Sequence, residues 1–199
     1  MKRICARLCA LAMALVCTVC LFAACGRADA VDDAEAVRTL YAGLRRCSLQ
    51  AVLTADFGDA VNAFTLQFDY DRDGESAVEI LAPEEVRGVR ATIEAGGTAL
   101  SYDGLILETG PLPGTGLTPV DALPVMLKTW GEGYVASTGR EKLDGVACLL
   151  MVYKSTAAGV EIEQRVWFER ETCKPVRAET YAADARVIDC VFEKFSFES

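Results

Sequence analysis

The sequence predicts an α+β fold that is mainly β, with ten or eleven antiparallel strands and two amphipathic helices in one domain. Three observations carry this. Beyond residue 47 apolar and polar residues alternate with period two almost without interruption. Short turn sequences such as Asp71-Arg72-Asp73-Gly74 and Leu143-Asp144-Gly145 divide the alternating runs, so that neighbouring runs return as hairpins. Two stretches alone switch to a spacing of three or four, the spacing of a one-sided helix.

The first of these stretches is Val31 to Arg46. Asp32 or Asp33 suits its N-terminus, Ala34, Val37, Leu40, Tyr41 and Leu44 share one face, and Arg45 and Arg46 suit its C-terminal end. The strands begin after it. Leu49, Ala51, Leu53, Ala55 and Phe57 lie on one face of the first strand, and Phe64, Leu66, Phe68 and Tyr70 on one face of the second. One-sided alternation of this kind belongs to antiparallel sheets with one solvated face. Ser76 to Leu81, Gly88 to Glu94, Ala99 to Tyr102 and Leu105 to Thr109 continue the meander, which stops at the cluster Gly110-Pro111-Leu112-Pro113-Gly114.

Thr118-Pro119 opens the second helix, with Pro at the first helical position and Ala122, Leu123, Met126, Leu127 and Trp130 on one face. Pro124 bends or shortens this helix without forbidding it. Five further strands follow: Gly133 to Lys142, Val146 to Lys154, Val160 to Glu169, Lys174 to Tyr181 and Val187 to Phe197. No repeat or linker interrupts them, so residues 31–199 read as one domain.

Residues 1–24 read as an address. Lys2, Arg3 and Arg7 form a basic start, an apolar run of about fifteen residues follows, and Ala23-Ala24 precede Cys25. The run is too short to cross a hydrocarbon core of about 30 Å comfortably. Leu21-Phe22-Ala23-Ala24-Cys25-Gly26 resembles a bacterial lipobox, which makes Cys25 the expected lipid-attachment residue and 25–30 a short tether that keeps the domain within ~20 Å of a membrane. Cys5, Cys9, Cys17 and Cys20 leave with the signal. Cys47, Cys148, Cys173 and Cys190 remain, an even number that admits two disulfides in three connectivities or four structural thiols.

Charge and composition exclude several functions. With 52% hydrophobic and 25% charged residues, the 199-residue chain is globular rather than disordered. Beyond residue 24 it holds 17 basic and 29 acidic residues, a net charge of −12 that repels nucleic acid and anionic head groups. The chain contains no His, so a His-based triad and an HExxH zinc site are excluded. Asp69-Tyr70-Asp71-Arg72-Asp73-Gly74 fits the first half of a calcium loop, but the twelfth position is Ile80 and strands flank it, so a solvated hairpin turn is expected. No catalytic residue, metal or cofactor is expected.

Val166-Trp167-Phe168-Glu169-Arg170-Glu171-Thr172-Cys173-Lys174-Pro175-Val176-Arg177-Ala178-Glu179-Thr180-Tyr181, an aromatic strand, an acidic turn with Thr and then Pro with a basic residue, is similar to a hairpin of the periplasmic lipoprotein carriers and outer-membrane lipoprotein receptors. Leu143-Asp144-Gly145-Val146 and Phe192-Glu193-Lys194-Phe195-Ser196-Phe197 resemble two further pieces of that family, which also includes envelope-stress regulators and glycolipid-binding lipoproteins. The resemblance spans nearly the whole mature chain. It implies an incomplete, strongly curved antiparallel barrel with helices over its concave side, and therefore a groove for lipid tails.

Strand parity places Leu49, Leu53, Phe64, Leu66, Phe68, Val78, Ile80, Ile93, Val166 and Phe168 on the groove wall, with Leu123, Met126, Leu127 and Trp130 as its lid. The same stripes also suit a filled core. The expected function is a membrane-anchored binder of lipid or lipoprotein acyl chains in the bacterial envelope. The alternative is a module that regulates envelope signalling by engaging a protein partner, with no lipid cargo.

Overall fold

In the computed structural model, residues 32–56, 58–94, 97–110 and 112–198 are described. The expected signal, Cys25 and the tether lie outside them. Helix α1 covers residues 32–43. Eleven strands and a second helix follow: β1 (Arg46–Asp56), β2 (Val61–Asp71), β3 (Ser76–Ala82), β4 (Arg90–Glu94), β5 (Gly97–Tyr102), β6 (Leu105–Gly110), α2 (Pro119–Glu132), β7 (Val135–Leu143), β8 (Val146–Ala157), β9 (Val160–Glu169), β10 (Pro175–Ala182) and β11 (Ala185–Glu198). A short 3₁₀ turn, Glu84–Val86, links β3 to β4. The helix expected to reach Arg46 ends three residues earlier, because Arg46 already pairs with Asp71 in the β1–β2 ladder.

All strands join one antiparallel sheet in the order β6-β5-β4-β3-β2-β1-β11-β10-β9-β8-β7, open at both edges. The order dictates the place of α2. The chain starts at the centre with β1, steps outward to the edge β6, and must then reach the opposite edge β7 before stepping back to the centre. That crossing, between Gly110 and Val135, carries α2 over one face of the sheet. Six of the ten strand pairings contain a register shift, as between Gln50 and Ala51 of β1 or Thr180 and Tyr181 of β10. Such bulges add twist and let a wide sheet curl.

Both helices lie on the inner face of the curl. The Tyr41 ring of α1 stands 5.1 Å from the Trp130 ring of α2 and 5.5 Å from Phe168 of β9, and Trp130 lies 5.7 Å from Phe192 of β11. One apolar cluster runs from Val78 and Ile80 of β3 through both helices to Leu149 and Met151 of β8. Laid flat, the six inter-strand steps from β3 to β8 would span about 29 Å. Two helices of about 10 Å diameter join both flanks because the sheet bends around them.

The outer face is polar. Arg177 pairs with Asp189 and Glu179 across β10 and β11, Arg186 reaches the same two acids, and Arg165 lies 4.6 Å over the Tyr181 ring. Burial would raise the Glu163 carboxyl, but Arg165 and Lys154 hold it below the usual carboxylate range. Opposite charges on neighbouring strands support the ladder where no core does.

The acidic turn between β2 and β3 is an ion-paired hairpin. Asp73 pairs with Arg45 at 2.8 Å and Asp71 with Arg46 at 2.9 Å, while the Arg72 guanidinium donates to the Ala42 carbonyl at the end of α1. The backbone N–H of Asp73 and the Arg46 guanidinium hold the Asp71 carboxyl below its ordinary value. All four described cysteines are free thiols on different strands or turns. Burial pushes the Cys47 thiol up to about 12 and Cys190 higher still. Thiols this reluctant to ionise are packing groups rather than nucleophiles.

Candidate functional site

Helix α2 is placed by its N-terminal loop. The Thr118 hydroxyl caps the helix and donates to the Asp121 carboxylate at 2.7 Å, and Asp121 accepts from the Thr118 N–H at 2.9 Å, a reciprocal capping box. Asp121 is wholly buried and also accepts from the backbone of Thr115 and Gly116, so one carboxylate satisfies the loop donors and folds residues 115–118 onto the helix. At the other end Gly131 lies against α1. A Cβ there would stand 2.9 Å from the Ala42 nitrogen and 3.0 Å from the Tyr41 carbonyl carbon, so the two backbones approach at a distance only Gly permits.

The helix rests on its apolar stripe. Leu123, Met126, Leu127 and Trp130, the expected lid, are buried, and the Trp130 indole N–H donates to the Gln164 side-chain oxygen at 3.0 Å. Beneath them Leu49, Leu53, Leu66, Phe68, Val78, Ile80, Val166 and Phe168 of the expected wall are buried in the same cluster, with Phe64 and Ile93 half-buried against it. Wall and lid thus fill each other directly under the apolar stripe. Space opens beside that contact.

A cavity of about 400 Å³ lies along one flank of α2, between the helix and the inner face of β8–β10. Val125, Lys128, Thr129 and Glu132 supply the helix side, at spacings of three and four along one edge of the helix. Tyr153 of β8, Ile162 and Gln164 of β9 and Thr180 of β10 supply the floor, and the loop Gly114–Gly116 closes one end. Ser155 and Thr156 are exposed at the rim, with Lys128 and Glu132. A second hollow of about 260 Å³ follows the opposite flank, lined by Tyr41, Tyr70, Pro124, Leu127 and Gly131. Open volume therefore flanks α2 on both sides, and α1 borders the smaller hollow.

The larger cavity contains one unanswered polar group. Thr180 is 2% exposed, and among the described residues its hydroxyl has no hydrogen-bond partner. It sits at the β10–β11 register shift and beside Gln164 in the β9–β10 ladder. The Tyr153 hydroxyl donates to the Trp130 carbonyl at a long 3.4 Å, and burial pushes its ionisation far above the ordinary tyrosine range. The cavity can thus hold an apolar chain while a neutral hydroxyl and an amide offer polar contacts on its floor.

Parity places the apolar residues of β9 on the inner face correctly, yet it passes over Gln164 and Thr180, which share that face. Their signal is present in the sequence: a polar side chain in register with an apolar stripe marks either a buried hydrogen bond or an opening. Gln164 is the first and Thr180 the second. No group of three or more His, Cys, Asp or Glu side chains that could hold a metal occurs among the described residues.

No known family model matches the chain, and no curated protein matches it. Solved structures do. A conserved protein of Thermus thermophilus aligns with a TM-score of 0.52 at 9% identity, over 86% of either chain. The LolA superfamily protein NE2245 from Nitrosomonas europaea aligns at 0.48 and 11% identity over 85% of this chain and 94% of its own. The Mycobacterium tuberculosis lipoprotein LppX aligns at 0.47 and 14% identity over 82% and 93%. Likeness at these identities is a likeness of fold. The Thermus thermophilus protein shares the fold of this chain, whose open, helix-roofed antiparallel sheet is the one that its strand pattern and its hairpin resemblance lead one to expect.

Proposed function

We propose that this protein is a membrane-anchored binder of lipid or lipoprotein acyl chains in the bacterial envelope, and that it carries or presents them without catalysis. The observation that supports this reading best is the roughly 400 Å³ cavity beside α2, open at its rim and floored by Tyr153, Ile162, Gln164 and Thr180. Its volume falls within the ~300–1,000 Å³ of sites that take small hydrophobic ligands. Some 12 buried methylenes would contribute on the order of 10 kcal/mol before entropic costs. The expected lipid on Cys25 would hold this cavity beside its source of ligand. The packed wall under α2 sets a limit: a longer chain enters only as the helix lifts from Val166 and Phe168 of the sheet.

Native mass spectrometry of the full-length protein, purified in detergent from a bacterial membrane fraction, tests the proposal. A stoichiometric lipid adduct beyond the protein's own anchor is expected. Ala157→Trp, which places an indole at the half-buried rim of the cavity, should abolish the adduct and leave the thermal midpoint nearly unchanged. A clean ligand-free mass of the unsubstituted protein from several preparations would refute the reading.

A further inference from the structure

The two edges of the sheet are built differently. The edge strand β7 carries Ser137, Thr138, Arg140, Glu141 and Lys142, the charged and polar residues with which natural sheets discourage strand addition. The opposite edge β6 reads Leu105-Ile106-Leu107, and these three side chains are 76%, 74% and 64% exposed. A bare apolar edge is an energetic liability unless something covers it.

The backbone of β6 is equally ready. Asp103 and Gly104 form the two-residue turn between β5 and β6, both at positive φ, so the flanking pair Tyr102 and Leu105 exchange both ladder hydrogen bonds. Alternation then commits Leu107 to β5 and turns the N–H and C=O groups of Ile106 and Glu108 to the free edge. Charge selects the occupant. Residues 91–127 contain no Lys or Arg, whereas Asp103 and Glu108 are exposed at the two ends of the apolar triplet. An antiparallel second copy would set acid against acid across a body of net −12, and an anionic bilayer meets the same repulsion.

We propose that the free edge of β6 is a docking strand for a protein partner, which adds an extended apolar segment with basic flanks as a twelfth strand of the sheet. Its backbone pairs with Ile106 and Glu108, its apolar side chains cover Leu105, Ile106 and Leu107, and its basic residues meet Asp103 and Glu108. Docking of this kind needs no lipid cargo.

Hydrogen exchange at residue resolution on the full-length protein tests it, with the end-blocked peptide Lys-Ile-Val-Ile-Lys as the probe. Exchange of the Ile106 and Glu108 amides should slow about tenfold, and Lys-Ile-Pro-Ile-Lys, equal in charge but unable to pair, should leave both unchanged. Ile106→Pro removes an outward donor that β5 does not use, so the fold should survive while the peptide loses its effect on Glu108; Leu107→Lys should do the same by charge. Four outcomes overturn the proposal: no slowing, equal slowing by both peptides, slow exchange in a peptide-free dimer, or slow exchange only with phosphatidylglycerol vesicles. The third would assign the edge to a second copy and the fourth to a bilayer.

Discussion

Asp33 shows how much a single carboxylate can organise. It accepts from Arg140 of β7 at 2.9 Å and from Arg170 of the β9–β10 turn at 3.0 Å, and so ties the start of α1 to segments more than a hundred residues away. Burial alone would raise its ionisation, but the two guanidinium groups outweigh this and hold it below its ordinary value near 3.8. A carboxyl lowered in the folded state stabilises fully above the unfolded value, and the benefit is lost as pH falls through the folded one. Asp33→Asn should therefore cost about 1 kcal/mol at pH 7, a modest figure because the pair is partly solvated. The cost should vanish as pH drops from about 4 through the lowered folded value. Urea melts of both proteins across that range measure it, and a difference that stays constant with pH would show that the ion pairs are not its source. The sequence offers Asp32 or Asp33 as a helix cap; which strands it would meet depends on long-range topology that no local spacing encodes.

Helix α2 is the most legible element and its surroundings the least. Thr118-Pro119 and the stripe from Ala122 to Trp130 are enough to place it, because capping and period are local. Val125, Lys128, Thr129 and Glu132 look like a solvent-facing edge in the sequence and become the wall of a cavity once β8–β10 curl past them. Gly131 carries no signal of its role in the sequence. In the fold it lies inside the helix at the crossing with α1, where a methyl group would meet backbone rather than a flexible side chain. Gly131→Ala should cost about 1–3 kcal/mol through overpacking. Gly43, the last residue of α1, faces open space where a Cβ would meet nothing within 4 Å, so Gly43→Ala should be neutral or stabilise by up to about 1 kcal/mol. Equal effects of the two substitutions on the denaturation midpoint would mean that the helices do not meet at Gly131.

Across the whole molecule, strand order separates residues that the sequence treats alike. Leu53 and Leu107 are both leucines in period-two strands, and both lie on the inner face. Leu53 belongs to β1, which pairs with β2 on one side and with β11 on the other, where it faces Phe64 and Cys190 in a region closed to solvent. Leu107 belongs to the edge strand and remains 64% exposed. The sheet centre is made by pairing segments near opposite ends of the described chain, whereas its edges lie midway along the sequence, so position in the chain runs opposite to depth in the fold. Hydrophobic alternation therefore reveals the number of strands and their faces but not which apolar faces are covered: seven candidate groove residues are core at 0–1% exposure, while nothing local marks Leu105 and Leu107 for a surface role. Leu53→Ala should cost about 2–5 kcal/mol, the range for a buried leucine whose site cannot collapse. Leu107→Ala should stay within about 0.5 kcal/mol, the range of an ordinary surface change. Urea midpoints of the two variants, measured without ligand, decide it: a large loss at Leu107 would mean that β6 is already covered in the free protein and is no docking strand.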